Sequence, residues 1–294
     1  MSVPRFTPGQ LNIHSGLDDV VKISRALRGS GRRLALVPTM GALHDGHRQL
    51  MRTARRLPNV VLTTSIFVNP LQFGPNEDFD RYPRPLEADL DICRHERVEL
   101  VFNPEREAMF PPEACTTVHP GPLGDELEGA SRPGHFAGVL TVVAKLFNIV
   151  RPDFALFGEK DYQQLVLVRR MVRDLDLAVK VIGVPIVRDS DGLARSSRNA
   201  YLDPEQRAAA VTLSAALTVG SRISAEGADA VLDAARGVLD KESGVDLDYL
   251  ELRGRDLGPV PASGEARLLV AARVGGTRLI DNVSVFLGDP RPEG

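Results

Sequence analysis

The chain has 294 residues, of which 43% are hydrophobic and 26% charged, and its formal net charge is −3. These values are typical of a globular protein with room for two domains, and the slight acidic excess argues against a general nucleic-acid binder. Two cysteines are too few for a disulfide framework, and no segment has the apolar core of a signal peptide or the length of a membrane span. We therefore expect a protein of the reducing cytoplasm with neither a nucleic-acid nor a membrane partner.

Alternating strands and helices are predicted in the first two-thirds of the chain. Apolar runs predict strands at 34–38, 60–68, 100–102, 154–157 and 179–187. Amphipathic spacing predicts helices at 18–28, 48–57, 86–97, 140–149 and 163–174. This alternation indicates an α/β fold, a doubly wound, Rossmann-like parallel sheet with helices on both faces. Residues 70–85 are rich in proline and are predicted to form a long loop, of the kind that often serves as a lid.

The composition changes after about Val187. Helices are predicted at 204–224 and 227–241, and short strands at 248–252, 267–273 and 277–286. Asp203-Pro204 suits a helix cap followed by the first helical residue, and Gly275-Gly276 suits a two-residue hairpin turn. The sequence therefore predicts a Rossmann-like domain at 1–187 and a smaller C-terminal α+β domain at 188–290.

A turn with two histidines follows the strand predicted at 34–38. The segment PTMGALHDGH, residues 38–47, connects this strand to a helix whose apolar face is formed by Leu50, Met51, Ala54 and Leu57. Open α/β sheets place ligands at the carboxyl ends of their strands, and a helix N-terminus offers free N–H groups to an anion. Imidazoles there can donate to a phosphate as charge builds up on it, which favours a nucleotide-phosphate site.

The spacing of the two histidines has other interpretations. It is compatible with half of a metal site or with ordinary turn residues. A zinc site needs more ligands, and Cys93 and Cys115 lack the spacing to supply them.

Two more segments follow predicted strands and are rich in polar residues. The first is FGEKDYQQ at 157–164, and the second is ARSSRN at 194–199. Taken alone, Lys160 would be a solvated surface charge, and the serines Ser196 and Ser197 would form a helix-entry turn.

Five motifs occur in one order: PTMGALHDGH, SIFVNPLQF, RPGHFAGVLTVVAKLFNIVRPD, FGEKDYQQL and SSRNAYL. In this combination, and over nearly the whole chain, the sequence resembles the pantoate–β-alanine ligase family. The HxGH element alone is less specific, because the wider nucleotidyl-transferase superfamily shares it. The resemblance implies an enzyme of pantothenate biosynthesis that condenses pantoate with β-alanine using ATP. The reaction would pass through a pantoyl adenylate and release AMP and pyrophosphate.

The resemblance also implies roles for particular residues. His44, His47 and Lys160 would be catalytic, with His47 as the proton donor, since an imidazole pKa lies near the working pH. The implied ATP-binding residues are Met40, Gly41, His44, His47, Gly158, Lys160, Asp161, Val187, Arg195, Ser196, Ser197 and Arg198. The implied residues for pantoate and β-alanine are Pro38, Met40, Asn69, Gln72, Glu128 and Gln164.

Further expectations concern the pocket, the metal, the assembly and the domains. Apolar walls could come from Pro38, Val139, Val142 and Val143, although an ordinary core explains the valines equally well. Mg²⁺ would accompany ATP and be held mostly by phosphate oxygens, with Asp89 and Asp161 as candidate protein ligands. The family is typically homodimeric. Domain 1–187 would bind ATP and pantoate, and domain 188–290 would close over the ATP site.

Arg195 departs from the family pattern, which commonly has methionine just before the two serines. A backbone contact with ATP at this position would survive the change. A packing contact against adenine would be altered, although the guanidinium plane of arginine can also stack.

Two other functions remain open. A nucleotidyltransferase of the same superfamily would keep the adenylated product, and Gln72 and Gln164 argue against it because they match an acyl-substrate pocket. A non-catalytic nucleotide-binding regulator would not need His44, His47 and Lys160 all directed at phosphate.

Overall fold

The structure is a computed structural model that describes residues 4–75, 77 and 79–288. Positions 76 and 78 of the predicted lid, and the last two residues of the predicted C-terminal domain, 289 and 290, lie outside the described residues. The described residues divide into two compact units. The first contains the chain up to Glu159 together with Gln164–Pro185, and the second contains Lys160–Gln163 and the chain from Ile186 onward.

The first unit alternates strands and helices. Its strands are β1 (Asn12–His14), β2 (Arg33–Thr39), β3 (Val60–Ile66), β4 (Leu100–Phe102), β5 (Phe154–Gly158) and β6 (Lys180–Val184). Its helices are α1 (Leu17–Gly29), α2 (Asp45–Arg55), α3 (Leu86–His95), α4 (Arg106–Met109), α5 (Glu128–Ser131) and α6 (His135–Val150), and α7 (Tyr162–Asp174) begins in the second unit and continues into the first. The predicted α/β class is confirmed.

The strands pair in parallel in the order β1-β4-β3-β2-β5-β6. After β2 the chain builds one half of the sheet through β3 and β4, and it later returns to the other side of β2 as β5. The order of the strands therefore reverses between β2 and β5. Doubly wound sheets bind their ligands at the carboxyl ends of the two strands between which the order reverses.

The core of the first unit confirms the apolar face predicted for α2. Leu50, Met51 and Ala54 are buried in one cluster with residues of β2, β3 and β5. Burial of apolar surface stabilises a fold by about 25 cal/mol per Å². Because isolated helices as short as α2 are only marginally stable in water, this packing contributes more to the stability of α2 than its helical propensity does.

Several predicted boundaries were wrong, for local reasons. Strand β1 was missed because three residues are too short to show alternation. Helix α6 was predicted to begin at residue 140 and begins at His135, where Gly134, with a positive φ, forms its N-cap. Helix α2 begins at Asp45 rather than at residue 48, because its first turn is polar.

The second unit is a three-stranded antiparallel sheet with two helices. Its strands, β7 (Val245–Gly254), β8 (Gly264–Val274) and β9 (Thr277–Leu287), pair in the order β7-β8-β9, and its helices are α8 (Pro204–Arg222) and α9 (Ala228–Leu239). Both local predictions are confirmed. Val274 pairs with Thr277 across the two-glycine turn, and the Asp203 carboxylate accepts the Gln206 N–H at 2.8 Å as the cap of α8.

In the part of the chain that the structure describes, we find no helix with the length and apolar character needed to cross a membrane.

Candidate active site

The turn after β2 is held by a buried carboxylate. Gly41 and Ala42 both have positive φ, +80° and +50°, so the backbone turns sharply between the strand and α2. The Asp89 carboxylate on α3, 1% exposed, accepts the N–H groups of Ala42 at 2.9 Å and Leu43 at 2.7 Å. A Cβ on residue 41 would lie 2.8 Å from this carboxylate, so only glycine suits the position.

Burial raises the pKa of Asp89 above its ordinary value, and the two N–H donors act in the opposite direction. With its two oxygens engaged by the backbone, this carboxylate positions the turn. Its candidacy as a magnesium ligand stays a prediction, since each oxygen keeps a second lone pair beside the N–H that it accepts.

The two histidines cap the helix that they introduce. The Nδ1 atom of His44 accepts the Gly46 N–H at 3.1 Å, and the His44 N–H donates to Nδ1 of His47 at 3.2 Å. Because each Nδ1 is an acceptor, each neutral ring carries its proton on Nε2. The ring centroids lie 4.2 Å apart. The turn therefore offers two N–H donors from neighbouring imidazoles at the carboxyl end of β2.

A second buried carboxylate fixes the rest of α2. Glu96, 3% exposed, accepts from Arg48 at 2.8 Å and from Arg52 at 2.8 and 3.1 Å, and Arg55 lies 3.8 Å away. Although burial raises the pKa of Glu96, the hydrogen bonds from Arg52 and Arg48 lower it below its ordinary value. The carboxylate is thus ionised at neutral pH and ties three successive turns of the helix to one point.

Two amides lie together beyond β3. Asn69, 1% exposed, caps a short 3-10 turn (Pro70–Gln72) and donates from Nδ2 to Oε1 of Gln72 at 3.0 Å and to the Gly138 carbonyl at 3.1 Å. The Gln72 amide donates in turn to the Met40 sulfur at 3.1 Å. Met40 belongs to both sets of residues that the resemblance implies, for ATP and for pantoate. Its thioether also orients Gln72, which links the turn after β2 with the turn after β3.

The peptide of Gln72 is held from two sides. Its carbonyl accepts from His135 Nδ1 at 2.8 Å and from Arg132 at 3.2 Å. Arg132 also lies 3.0 Å from Nε2 of His135 and donates to both oxygens of Glu77, at 3.0 and 2.5 Å. Burial and then the charge of Arg132 lower the pKa of His135 to about 4, so the ring is neutral. It donates from Nδ1 and accepts from Arg132 at Nε2.

Lys160 and Asp161 belong to the second unit. They lie in a 3-10 turn (Glu159–Asp161) directly after Gly158, the last residue of β5. The Lys160 side chain is 20% exposed, and its ammonium lies 3.6 Å from the carboxylate of Asp161. The Lys160 carbonyl accepts from Nδ2 of Asn282 at 2.9 Å.

The remaining implied ATP residues form a hairpin and a turn. The Arg195 N–H donates to the Val187 carbonyl at 2.9 Å, and the side chain of Arg195 forms an ion pair with Asp189. Ser196 caps a short 3-10 turn (Ser197–Tyr201), where its hydroxyl accepts the Arg198 N–H at 3.3 Å. The helix-entry turn that was the alternative interpretation of the serines is therefore present, and a capping role does not exclude phosphate contacts.

The structure distributes the implied site residues between the two units. The first unit contains Pro38, Met40, Gly41, His44, His47, Asn69, Gln72, Glu128, Gly158 and Gln164; the second contains Lys160, Asp161, Val187, Arg195, Ser196, Ser197 and Arg198. Pro38 and Gln164 are half-buried, and Glu128 is 7% exposed at the start of α5. The candidate wall residues Val139, Val142 and Val143 are buried in α6.

Sequence reasoning missed the residues that support the site. Arg132 and His135 lie in the RPGHFAG motif, so the motif itself was a signal, but it did not indicate their contact with Gln72. Glu96 and Asn282 had no local signal, since Glu96 pairs with arginines 41 to 48 positions away and Asn282 donates to a carbonyl 122 positions away.

Within the described ranges, no group of three or more histidine, cysteine, aspartate or glutamate side chains is arranged to hold a metal ion. Asp161 is 52% exposed and paired with Lys160. These side chains do not form a protein cage, which is compatible with a Mg²⁺ ion that is bound through phosphate oxygens and water.

Comparisons with known proteins agree with the motifs. The model of a family described as Pantoate-beta-alanine ligase matches residues 12–284. Pantothenate synthetase of Saccharopolyspora erythraea is 65% identical over 286 residues, which are 97% of this chain and 95% of the relative.

Solved structures give the same result. The crystal structure of pantothenate synthetase from Thermus thermophilus is 46% identical, with a TM-score of 0.86 over 93% of this chain and 99% of that one. Pantoate-beta-alanine ligase from Francisella tularensis, complexed with Beta-gamma ATP and beta-alanine, is 33% identical, with a TM-score of 0.77 over 93% and 97%.

Proposed function

Because this chain belongs to the pantoate–β-alanine ligase family, we propose that it joins pantoate to β-alanine with ATP, through a pantoyl adenylate. A carboxylate is a poor acyl donor, since its leaving group would be oxide. In the first step a pantoate carboxylate oxygen attacks the α-phosphorus of ATP, and the bond to pyrophosphate breaks. In the second step the β-alanine amine attacks the acyl carbon, AMP leaves with the electron pair of the anhydride oxygen, and the amine loses a proton.

The observation that carries this proposal is the pair of imidazoles after β2. Their Nδ1 atoms accept backbone N–H groups, which fixes both rings with Nε2–H as the donor. Charge moves onto the leaving pyrophosphate in the first step. Donors that are already oriented stabilise this charge without reorganising, so both rings act through hydrogen bonds from Nε2–H. The proton donation implied for His47 needs the protonated ring, in which Nδ1 could no longer accept the His44 N–H.

The amides of Asn69 and Gln72 fit the acyl substrate. Pantoate has hydroxyls and a carboxylate, which need groups that can both donate and accept, beside apolar surface for its two methyls. We assign Gln72 and Gln164 to pantoate, with Asn69 and Glu128 as further contacts of pantoate or β-alanine. The half-buried Pro38 supplies apolar surface.

Positive charge for the triphosphate comes from Lys160 and Arg198, with hydroxyl donors from Ser196 and Ser197. Gly158, Asp161, Val187 and Arg195 contact the nucleoside. Bound with ATP, Mg²⁺ would add positive charge at the phosphates, and it would be held mostly by phosphate oxygens, with Asp89 and Asp161 as candidate protein ligands.

The test is the formation of AMP from ATP with pantoate, measured with and without β-alanine, together with pantoate-dependent exchange of labelled pyrophosphate into ATP. We expect exchange with pantoate alone and stoichiometric AMP and pantothenate only with both substrates. Exchange without transfer to β-alanine would instead indicate a nucleotidyltransferase. ATP binding with neither exchange nor AMP would indicate a nucleotide-binding regulator.

Two variants of His47 separate its chemistry from its role as a cap. In His47→Asn the amide oxygen replaces Nδ1 as the acceptor for the His44 N–H, but no donor remains at the position of Nε2. His47→Gln places an amide near Nε2 and loses the cap. We expect the exchange rate to fall by roughly 100-fold or more in His47→Asn and less in His47→Gln, since removing one oriented donor to a developing negative charge costs about 10²–10³ in kcat. The reverse order would assign His47 a structural role.

We also propose, on the family resemblance, that the enzyme acts as a homodimer in the cytoplasm. Cys93 and Cys115 are both free thiols, which suits a reducing compartment. Light scattering on the purified protein would measure the mass of the particle. A monomeric mass at working concentrations with full activity would contradict the dimer.

A further inference from the structure

Lys160 lies in the first two-thirds of the chain, yet its segment clusters with the C-terminal unit. The residues Lys160–Gln163 belong to that unit, while β5 before them and nearly all of α7 after them belong to the other. One contact of this segment within that unit is the hydrogen bond from Nδ2 of Asn282 to the Lys160 carbonyl at 2.9 Å.

Asn282 is itself oriented by an arginine. It lies in β9, 2% exposed, and its Oδ1 accepts from Nε of Arg267 at 2.7 Å. Because the guanidinium occupies the oxygen, the nitrogen end of the amide must point toward Lys160. The backbone N–H of Asn282 donates to the Asp281 carboxylate, which also pairs with Arg188. The backbone of β9 is therefore held at the residue that carries the amide.

Arg267 makes a second contact with the same segment. It is 6% exposed on β8, and its guanidinium carbon lies 4.0 Å from the centroid of the Tyr162 ring. Tyr162 is 5% exposed and donates its hydroxyl to the Arg255 carbonyl at 2.8 Å. A cation over an aromatic face gains most where water is excluded, as it is here. The segment is therefore held at the carbonyl of Lys160 and at the ring two residues later.

We propose that Asn282 and Arg267 are positioning residues for Lys160, and that they act by fixing its peptide and the neighbouring Tyr162 ring. This inference rests on the role proposed above for Lys160 at the ATP phosphates. The lysine stem has four rotatable carbons, and its ion pair at 3.6 Å with the half-exposed Asp161 constrains it weakly. A fixed peptide limits the volume that the ammonium explores, and small displacements of a charged contact cost large factors in rate.

The alternative is that these buried side chains only stabilise the three-stranded sheet. The two roles differ in what they change. A positioning role changes the interaction with the β- and γ-phosphates and leaves the binding of AMP and pantoate intact. A structural role lowers thermal stability and weakens every ligand alike.

The first experiment compares the binding of AMP and of a non-hydrolysable ATP analogue to wild type and Asn282→Asp. The aspartate keeps an oxygen for Arg267 and replaces the donor with an oxygen that faces the Lys160 carbonyl. We expect the affinity for the ATP analogue to fall about tenfold or more, and that for AMP to change less than about twofold. The control is Arg278→Gln in the same strand, which removes the ion pair with Asp248.

A double-mutant cycle decides whether the effect passes through Lys160. We expect Asn282→Asp to have no further effect on kcat/KM for ATP in a Lys160→Ala background. Additive losses would overturn the positioning role. A Lys160→Ala variant with normal kcat/KM would instead refute the role proposed for Lys160 itself, so the two failures are distinguishable.

A second variant guards against misfolding of Asn282→Asp. Arg267→Lys keeps the charge but loses the planar Nε donor and the stacking on Tyr162. We expect Arg267→Lys, like Asn282→Asp, to lower the affinity for the ATP analogue more than the affinity for AMP. If the affinities for AMP and for the ATP analogue fell equally, and the melting temperature fell below that of Arg278→Gln, Asn282 and Arg267 would have only a stabilising role.

Discussion

The two units hold their site segments with opposite chemistry. In the first unit, the buried Asp89 carboxylate accepts two N–H groups of the histidine turn. In the second unit, the buried amide of Asn282 donates to the carbonyl of Lys160. The turn leads into a helix, where free N–H groups need acceptors, whereas the lysine segment presents a carbonyl that needs a donor.

The difference shows that each supporting residue forms a hydrogen bond with a backbone group for which the local secondary structure provides no partner. Under the proposed function, a carboxylate beside the histidine turn has a cost, because it adds negative charge where the ATP phosphates would bind. The two N–H groups that this carboxylate accepts partly offset that charge. No such conflict arises beside Lys160, where the support is a neutral amide and a guanidinium.

We expect the largest loss of stability from Gly138→Ala, which lies where α6 contacts the turn that carries Gln72. A Cβ at this position would lie 2.1 Å from the Leu71 carbonyl oxygen, which is backbone and cannot rotate away. We expect the free energy of unfolding to fall by about 3 kcal/mol or more and the KM for pantoate to rise, because the turn that carries Gln72 is displaced.

Gly237→Ala in α9 is the matched control, since the space around its Cβ is open. It should stabilise the protein by about 0.5–1 kcal/mol in urea unfolding. Equal effects of the two substitutions would show that α6 moves away from Leu71 without cost.

The pH dependence of stability should report on His135. Its pKa of about 4 in the folded protein lies below the ordinary value of 6.5, so the unfolded chain binds more protons between these two pH values. Stability from this residue is therefore complete above pH 6.5 and declines as the pH falls toward 4, by about 3 kcal/mol in total.

His135→Asn retains an N–H donor for the Gln72 carbonyl but cannot titrate. Urea unfolding of both proteins from pH 7 to pH 4 should therefore give a shallower loss of stability in the variant. Parallel curves would mean that the ring takes up a proton without loss of the contact.

Asp89→Asn tests the support of the histidine turn directly. One amide oxygen can accept one N–H, but the amide nitrogen then faces the other donor. We expect a loss of about 1–3 kcal/mol in stability, together with a lower rate of pyrophosphate exchange. Asp91→Asn in the same helix, whose carboxylate is 66% exposed, should change neither measurement. Normal exchange in Asp89→Asn would show that the turn keeps its shape without the carboxylate.

The smallest effect is expected from Arg195→Met, which restores the residue common in the family. Asp189 keeps its ion pair with Arg207 at 2.8 Å, and the N–H of residue 195 still reaches the Val187 carbonyl. We expect stability to change by less than about 1 kcal/mol and the KM for ATP by less than about threefold. A larger change in KM, with stability unaltered, would place the side chain against the nucleotide.

Most of the fold was predictable, because its signals are local. Hydrophobic periodicity indicated the strands of both sheets except β1, and the Asp203 cap and the two-glycine hairpin are written in adjacent residues. The strand-to-helix turn that contains His44 and His47 was likewise predicted from adjacent residues, whereas the caps that these histidines form and the start of α2 at Asp45 were not. Signals in adjacent residues can be recognised without tertiary information.

The supporting contacts were not predictable, for the opposite reason. Nothing around Asp89 or Asn282 indicates a partner 47 or 122 residues away. Asp89 was considered only as a metal ligand, because an acidic residue in a site suggests a cation more readily than a pair of backbone N–H groups. The role of a buried polar residue can be assigned once the backbone group to which it is hydrogen-bonded is known.

The assignment of Lys160–Gln163 to the C-terminal unit has a consequence for how the enzyme matures. A ribosome completes the sheet of the first unit, histidines included, well before it delivers β9. Until β9 emerges, the amide that bonds the Lys160 carbonyl does not exist. The growing chain therefore presents the histidine turn before this contact can form, and a product truncated before β9 should lack the positioning proposed for Lys160.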